Sequence, residues 1–219
     1  MRVLITAGPT REPLDPVRYL TNRSSGKMGY ALAHAFADAG HEVLLVSGPT
    51  ALDVPPGVDF IPVETAAEMH DAVRRHLFRM DAAVFAAAVA DYRPATVAGE
   101  KIKKGPGAIE IKLLRNPDIL GEAREKMNFA GVLVGFAAET ENLEDNARDK
   151  LRRKNCDLVI ANDVSTQGIG FDSDRNELLL VFPEHTVALP EDEKHHLARR
   201  LVKEVELLAA TRSGAFQAP

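Results

Sequence analysis

Residues 3–36 read VLITAGPTREPLDPVRYLTNRSSGKMGYALAHAF, and this stretch decides the fold. Val3, Leu4 and Ile5 form a short apolar, β-branched run, which predicts a buried first strand. Met28, Ala31, Leu32, Ala35 and Phe36 recur at helical spacing, so a helix is predicted over 26–36, with Ser24 or Ser25 as its cap and Gly40 beyond its end. The connection between them is about twenty residues long, where ordinary α/β units use about two to six. A loop of that length at the carboxyl end of the first strand reads as a site rather than a spacer. Gly8, Pro9, Pro13 and Pro16 stiffen and turn it. Arg11, Arg18, Arg23 and Lys27 make it basic, and residues 22–26 (NRSSG) run into a helix start, where free backbone N–H groups favour anions. A proline-ordered loop with solvated arginines is the bland alternative. The convergence of cations on a helix start favours a phosphate or carboxylate site there, one that takes in Gly8, Ser24 and Gly26.

The rest of the chain continues the alternation. Strands are predicted over 43–46, 60–63, 82–88, 131–136 and 157–160, with helices between them. Pro62 predicts that the third strand lies near an edge, and Thr65-Ala66-Ala67-Glu68 is a capping box. Asn116-Pro117-Asp118 opens a further helix, with Asn116 as cap. This order predicts an α/β fold, a Rossmann-like, doubly wound, mostly parallel sheet, in which ligands bind beyond the carboxyl ends of the strands. Residues 91–107 (DYRPATVAGEKIKKGPG) break the pattern and read as an added flap, followed by a strand over 109–114. Residues 168–174 read as a glycine-containing loop. A hairpin is predicted over about 177–189, a closing helix over 191–210, and a disordered tail over 211–219.

Composition narrows the function. A chain of 219 residues makes one large domain, here residues 1–210. Its net charge of −5 argues against general nucleic-acid binding. The longest apolar run, 82–90, is too short to span a membrane. Cys156 is alone, so no internal disulfide or cysteine metal cluster is possible, and a cytoplasmic setting is expected. At the start of a strand it reads as a buried small residue rather than a nucleophile.

The candidate chemical groups are then few. Lys101, Lys103 and Lys104 lie in the glycine-flanked flap, and suit either a closing loop that neutralises developing charge or a solvated cluster. Lys150 and Lys154 share one helix face, as a phosphate clamp or as part of a salt-bridged surface. Asp91, where the fourth strand ends, suits ribose hydroxyls, a magnesium ion or a turn cap. The seven histidines show no metal spacing, and the Walker, GxGxxG and GxSxG signatures are absent.

The stretches ITAGPTREPLDPVRYLTNRSSGKMG, AAVADYRP, EKIKK, NPDIL, GFAAET and ANDVS together resemble the bacterial phosphopantothenate–cysteine ligases, over about residues 3–208. The resemblance implies a single nucleotide-binding ligase domain of coenzyme A biosynthesis. In that chemistry 4′-phosphopantothenate attacks CTP, with magnesium, to give an acyl-cytidylate and pyrophosphate, and L-cysteine then displaces CMP. It implies that Asn22 acts on the acyl-cytidylate with Arg18 beside it, and that Lys101 serves its formation. It implies that Asp91, Pro117, Asp118, Ile119, Leu120, Phe136, Lys150 and Lys154 bind CTP, with Phe85, Ala86 and Ala87 along the nucleotide, and so favours the clamp for the lysine pair. It implies a homodimer too, and a flavin-dependent decarboxylase domain that members often carry ahead of the ligase half. The magnesium ligands stay unassigned. A nicotinamide dehydrogenase of the same fold lacks its glycine fingerprint here, and a nucleotide-sensing module without catalysis is the rival from another class.

Overall fold

The computed structural model describes residues 1–163 and 173–215, without the side chains of 213–215. Residues 164–172, most of the expected glycine loop and the end of ANDVS, lie outside the described residues, as do 216–219. Six runs become parallel strands; all but the largely exposed edge strand Val58–Pro62 are apolar and covered on both faces, which removes any need for polar alternation. They are β1 (Arg2–Ala7), β4 (Glu42–Ser47), β5 (Val58–Pro62), β6 (Ala82–Phe85), β9 (Val132–Glu139) and β10 (Leu158–Asp163). In space they lie in the order β5-β4-β1-β6-β9-β10. The order reverses between β1 and β6, so the loops leaving those two strands part and leave a crevice. Pro62 does sit on an edge strand, β5. Beyond β10 the expected hairpin, β11 (Arg175–Val181) and β12 (Thr186–Glu193), extends the sheet antiparallel to eight strands.

Helices cover both faces. α1 (Lys27–Asp38) and α5 (Lys194–Ala215) close one core, around Ile5, Phe36, Leu45, Ile160 and Leu201. α2 (Ala66–His76), α3 (Ile119–Glu125) and α4 (Leu143–Lys154) close the other, around Leu4, Met69, Leu133 and Leu151. The capping box at Thr65 and Glu68 is present. The last part of the second expected helix tightens to a 3-10 turn over Leu77–Arg79.

Four local expectations are corrected. No serine side chain caps α1; the chain enters through Gly26 at φ 79, and a Cβ there would lie 2.7 Å from the Thr50 methyl. α3 is capped by Asp118, whose Oδ1 accepts from Gly121 N at 3.0 Å, because Asn116 is drawn off to donate to the Ala90 carbonyl. The strand expected over 109–114 shrinks to β8 (Leu113–Arg115), paired with β7 (Tyr92–Pro94). Finally, α5 continues past Thr211 to Ala215, where a disordered tail was expected. Arg212 holds it by donating to the Ala130 carbonyl and to Asp157.

The twenty-residue loop is itself a small hairpin, β2 (Arg11–Pro13) against β3 (Tyr19–Thr21). Asp15 fixes its turn, accepting from Val17 N, Arg18 N and the Arg18 guanidinium. The flap is tied to the same turn. Ile102 N donates to Asp15 Oδ2 at 3.0 Å, and Arg18 Nη2 donates to the Ile102 carbonyl at 2.6 Å.

Candidate active site

Buried threonines shape the crevice. Thr10 Oγ1 accepts from Ala90 N at 2.9 Å, and Thr6 Oγ1 accepts from Ala87 N at 3.3 Å, so β1 and its loop hold the 86–90 segment across the reversal point. Two adjoining cavities open there, of about 690 and 450 Å³. Ala87, Val89, Asp91, Phe136 and Lys150 line both, so they form one site with two compartments.

Phe85, Asp118 and Lys154 line the larger compartment, together with Pro117, Ile119 and Leu120. Asn22, Ser24, Gly26 and Ala86 line the smaller one, against the start of α1. Lys150 stands at the junction and donates from Nζ to the Phe136 carbonyl at 2.5 Å. Its pKa is lowered chiefly by burial, with the Lys154 and Arg153 charges adding to the effect. Lys154 is ion-paired with Asp118. Burial pushes the Asp118 pKa up, but the Lys154 contact and the Gly121 N–H outweigh it and hold the carboxyl below its ordinary value. The lysine pair therefore combines both of its expected forms: Lys154 is salt-bridged, and both ammonium groups border a cavity. Along α4, Arg148–Glu144 and Arg153–Asp149 form i,i+4 ion pairs.

Asn22 Nδ2 donates to the Ala88 and Val89 carbonyls at 3.2 and 3.1 Å, which fixes its carboxamide at the compartment wall. Three expected site residues lie elsewhere. Gly8 lines neither compartment; at φ +69 it turns the backbone where a Cβ would lie 2.8 Å from the Gly48 carbonyl. The Arg18 guanidinium is spent on Asp15 and Ile102, and Lys101, next in chain, is exposed on the tied flap outside both compartments. Burial pushes the Cys156 thiol up to about 12, so it stays protonated and unreactive.

Sequence reasoning did not single out Arg115 and Arg153 in the larger compartment, or Asn162, Asn176 and Lys194 in the smaller one. Only Asn162 carried a signal, as part of the Ala161-Asn162-Asp163 stretch at the carboxyl end of a parallel strand. A magnesium ion among nucleotide phosphates needs one or two carboxylates, the rest of its shell being phosphate and water oxygens. Asp91, exposed in both compartments, fits that demand. Among the described residues the one group of three potential metal ligands, Glu193, His195 and His196, lies outside both.

A strand-order reversal with cations and a helix start around a two-compartment crevice defines a Rossmann-like α/β protein with a cation-bordered cleft at its switch point. The chain belongs to the family described as DNA/pantothenate metabolism flavoprotein C-terminal domain, which matches residues 1–208. It is 51% identical over 199 residues to the coenzyme A biosynthesis bifunctional protein CoaBC of Vibrio cholerae, covering 90% of this chain and 50% of that protein. The chain thus spans about half the length of the curated relatives it matches. The crystal structure of the C-terminal domain of a CoaBC protein superposes with a TM-score of 0.81 at 43% identity, covering 96% of this chain and 98% of that one. A Cab2 variant solved with phosphopantothenate-cysteine shares the fold, with a TM-score of 0.81 at 21% identity, covering 99% of this chain and 89% of that one. Among the described residues no helix is long and apolar enough to cross a membrane.

Proposed function

We propose that this chain ligates 4′-phosphopantothenate to L-cysteine at the expense of CTP, through an acyl-cytidylate, in coenzyme A biosynthesis. The carrying observation is the pair of compartments joined at Asp91, Phe136 and Lys150. A reaction that first joins an acid to a nucleotide needs two binding spaces that meet at one point. The carboxylate attacks the α-phosphorus there, and the bond to the β-phosphate oxygen breaks to release pyrophosphate. The cysteine amine then attacks the acyl carbon, CMP leaves, and the amine proton passes to solvent. The relatives' role in coenzyme A biosynthesis and the Cab2 complex support these substrates. CTP rests on the likeness to the bacterial ligases.

The chain's own groups supply charge and position. Lys150 and Lys154 neutralise phosphate oxygens of the nucleotide in the larger compartment. Asn22, braced by two carbonyls, orients the activated acyl group toward the amine. Magnesium, with Asp91 as its protein ligand, would screen the triphosphate and make pyrophosphate a better leaving group. Lys101 stands outside its own chain's compartments, so its part in activation needs either movement of the flap or a second copy of the chain. A homodimer serves that need. Tyr19 on the β2–β3 hairpin, Tyr92 on β7, and Ile109, Ile111, Leu113 and Leu114 in and before β8 are exposed, and a partner would cover them.

The test is mass spectrometry of the chain incubated with CTP, magnesium and 4′-phosphopantothenate but no cysteine. An acyl-cytidylate with stoichiometric pyrophosphate is expected. Pyrophosphate released without the acid, or none released at all, would sink the proposal.

A further inference from the structure

A third cavity, of about 510 Å³, shares no residue with the crevice and lies between α1, the start of α5 and the loop that follows β4. The packing of the two helices makes it. Tyr30, Ala31, His34 and Ala35 recur at helical spacing on one face of α1, and His195 and Arg199, four apart, do the same on α5. The small side chains of Ala31 and Ala35 leave room beside them, and the loop borders that room with Asp53, Val54, Pro55 and Pro56. Two consecutive prolines fix the backbone of that border, so the cavity is formed before anything enters it.

Two of its groups are unanswered. Tyr30 is only 7% exposed, yet its hydroxyl makes no hydrogen bond among the described residues. The hydroxyl is not sealed from solvent, and Tyr30 lines this cavity and neither compartment of the crevice. A phenol buried to that depth ordinarily finds a partner. Arg199 has no ion pair or hydrogen bond among the described residues, so its guanidinium fork is unused. Asp53 lines the same cavity but forms no ion pair with Arg199. The two imidazoles are already engaged: His34 Nδ1 lies 3.1 Å from Asp38 Oδ2, and His195 Nδ1 lies 3.1 Å from Glu193 Oε2.

We propose that this cavity is a second ligand site, for a small carboxylic acid with an apolar body. The carboxylate takes the Arg199 guanidinium and the Tyr30 hydroxyl, and the body lies against Ala31, Ala35, Val54 and Pro55. A planar carboxylate matches the guanidinium fork, and the apolar walls match the body. The site stands apart from the ligase reading, since none of these residues borders the crevice.

The test is an amide NMR titration of the whole chain with phenylacetate as the probe and phenylacetamide as its uncharged counterpart. Phenylacetate should shift the backbone amides of Tyr30, His34 and Val54 in a saturable way. Phenylacetamide should bind about tenfold more weakly, for want of the charge-assisted bonds. Arg199→Gln, which breaks no contact of the fold, should lose about tenfold or more in phenylacetate affinity, and Tyr30→Phe about threefold. No saturable shift, shifts confined to crevice residues such as Asn22 and Lys150, equal binding of acid and amide, or unchanged affinity in folded Arg199→Gln would each overturn the site.

Discussion

Lys150→Met separates the work of the site from the stability of the fold. Lys150 lines both compartments, and one of its three N–H groups is used on the Phe136 carbonyl at 2.5 Å. Two donors and the charge remain for a nucleotide phosphate. A hydrogen bond to a charged group contributes about 1.5–3 kcal/mol. The bare Coulomb attraction of two unit charges at 4 Å is about 4 kcal/mol at an effective dielectric of ~20, an upper figure for a cavity open to water. Losing about 2–3 kcal/mol corresponds to roughly 30- to 160-fold weaker CTP binding. Stability should move the other way. Burial lowers the Lys150 pKa, so folding makes it costlier to hold this group charged. Methionine of similar shape removes that penalty, and Tm should hold or rise. The pH dependence follows from the same sign. The unfolded chain, with an ordinary lysine value of 10.5, binds more protons than the folded one, so stability rises as pH climbs from the lowered value toward 10.5. The variant lacks that rise. Calorimetric CTP titration and thermal melts between pH 7 and pH 10 read both effects. CTP affinity within threefold of wild type, or an affinity loss matched by a fall in Tm, would refute the reasoning.

The two catalytic assignments predict unlike phenotypes: Asn22→Ala should still release pyrophosphate and accumulate acyl-cytidylate, whereas Lys101→Ala should release almost none, and equal loss in a pyrophosphate assay contradicts that division. Asp15, held well below its ordinary value of 3.8 chiefly by the Arg18 guanidinium, binds protons more readily in the unfolded chain, so its stabilising effect is present above about pH 4 and is lost on acidification. Asp15→Asn should flatten the acid limb of a urea-midpoint-against-pH curve, and an unchanged limb counts against it. Gly8→Ala puts a Cβ 2.8 Å from the Gly48 carbonyl at φ +69, which should cost about 1–3 kcal/mol in denaturant unfolding. Its folded fraction should keep the wild-type KM for CTP, since Gly8 lines neither compartment.

The parallel sheet was legible because strands covered on both faces need uninterrupted apolar runs, and the runs at 43–46 and 131–136 can be read in no other way. The three-residue strands β2, β3, β7 and β8 were not, since their pairing is made by contacts distant in sequence and leaves no period to count. The caps of α1 and α3 failed for a related reason. Residues 22–26 and 116–118 each offer several capping side chains, and the choice falls to neighbours such as Thr50 and the Ala90 carbonyl. Within the site, the α4 lysines were legible as a shared face. The core packing of Ala147 and Leu151 then turns that face toward Phe136 and Asp118. The wall of the smaller compartment was hidden by register. Pairing Ala161 with Leu179 carries Asn176 beyond the end of β10 and onto the rim. No local pattern around Asn176 announces that placement. Gly8 marks the limit from the opposite side. A glycine just after the first strand of such a fold is the form a phosphate contact takes, yet a close backbone crossing demands the same residue. Here the Gly48 carbonyl lies 2.8 Å from where a Cβ on Gly8 would stand. Sequence alone can say that something must approach Gly8 closely, and only the position of β4 says that it is the chain itself.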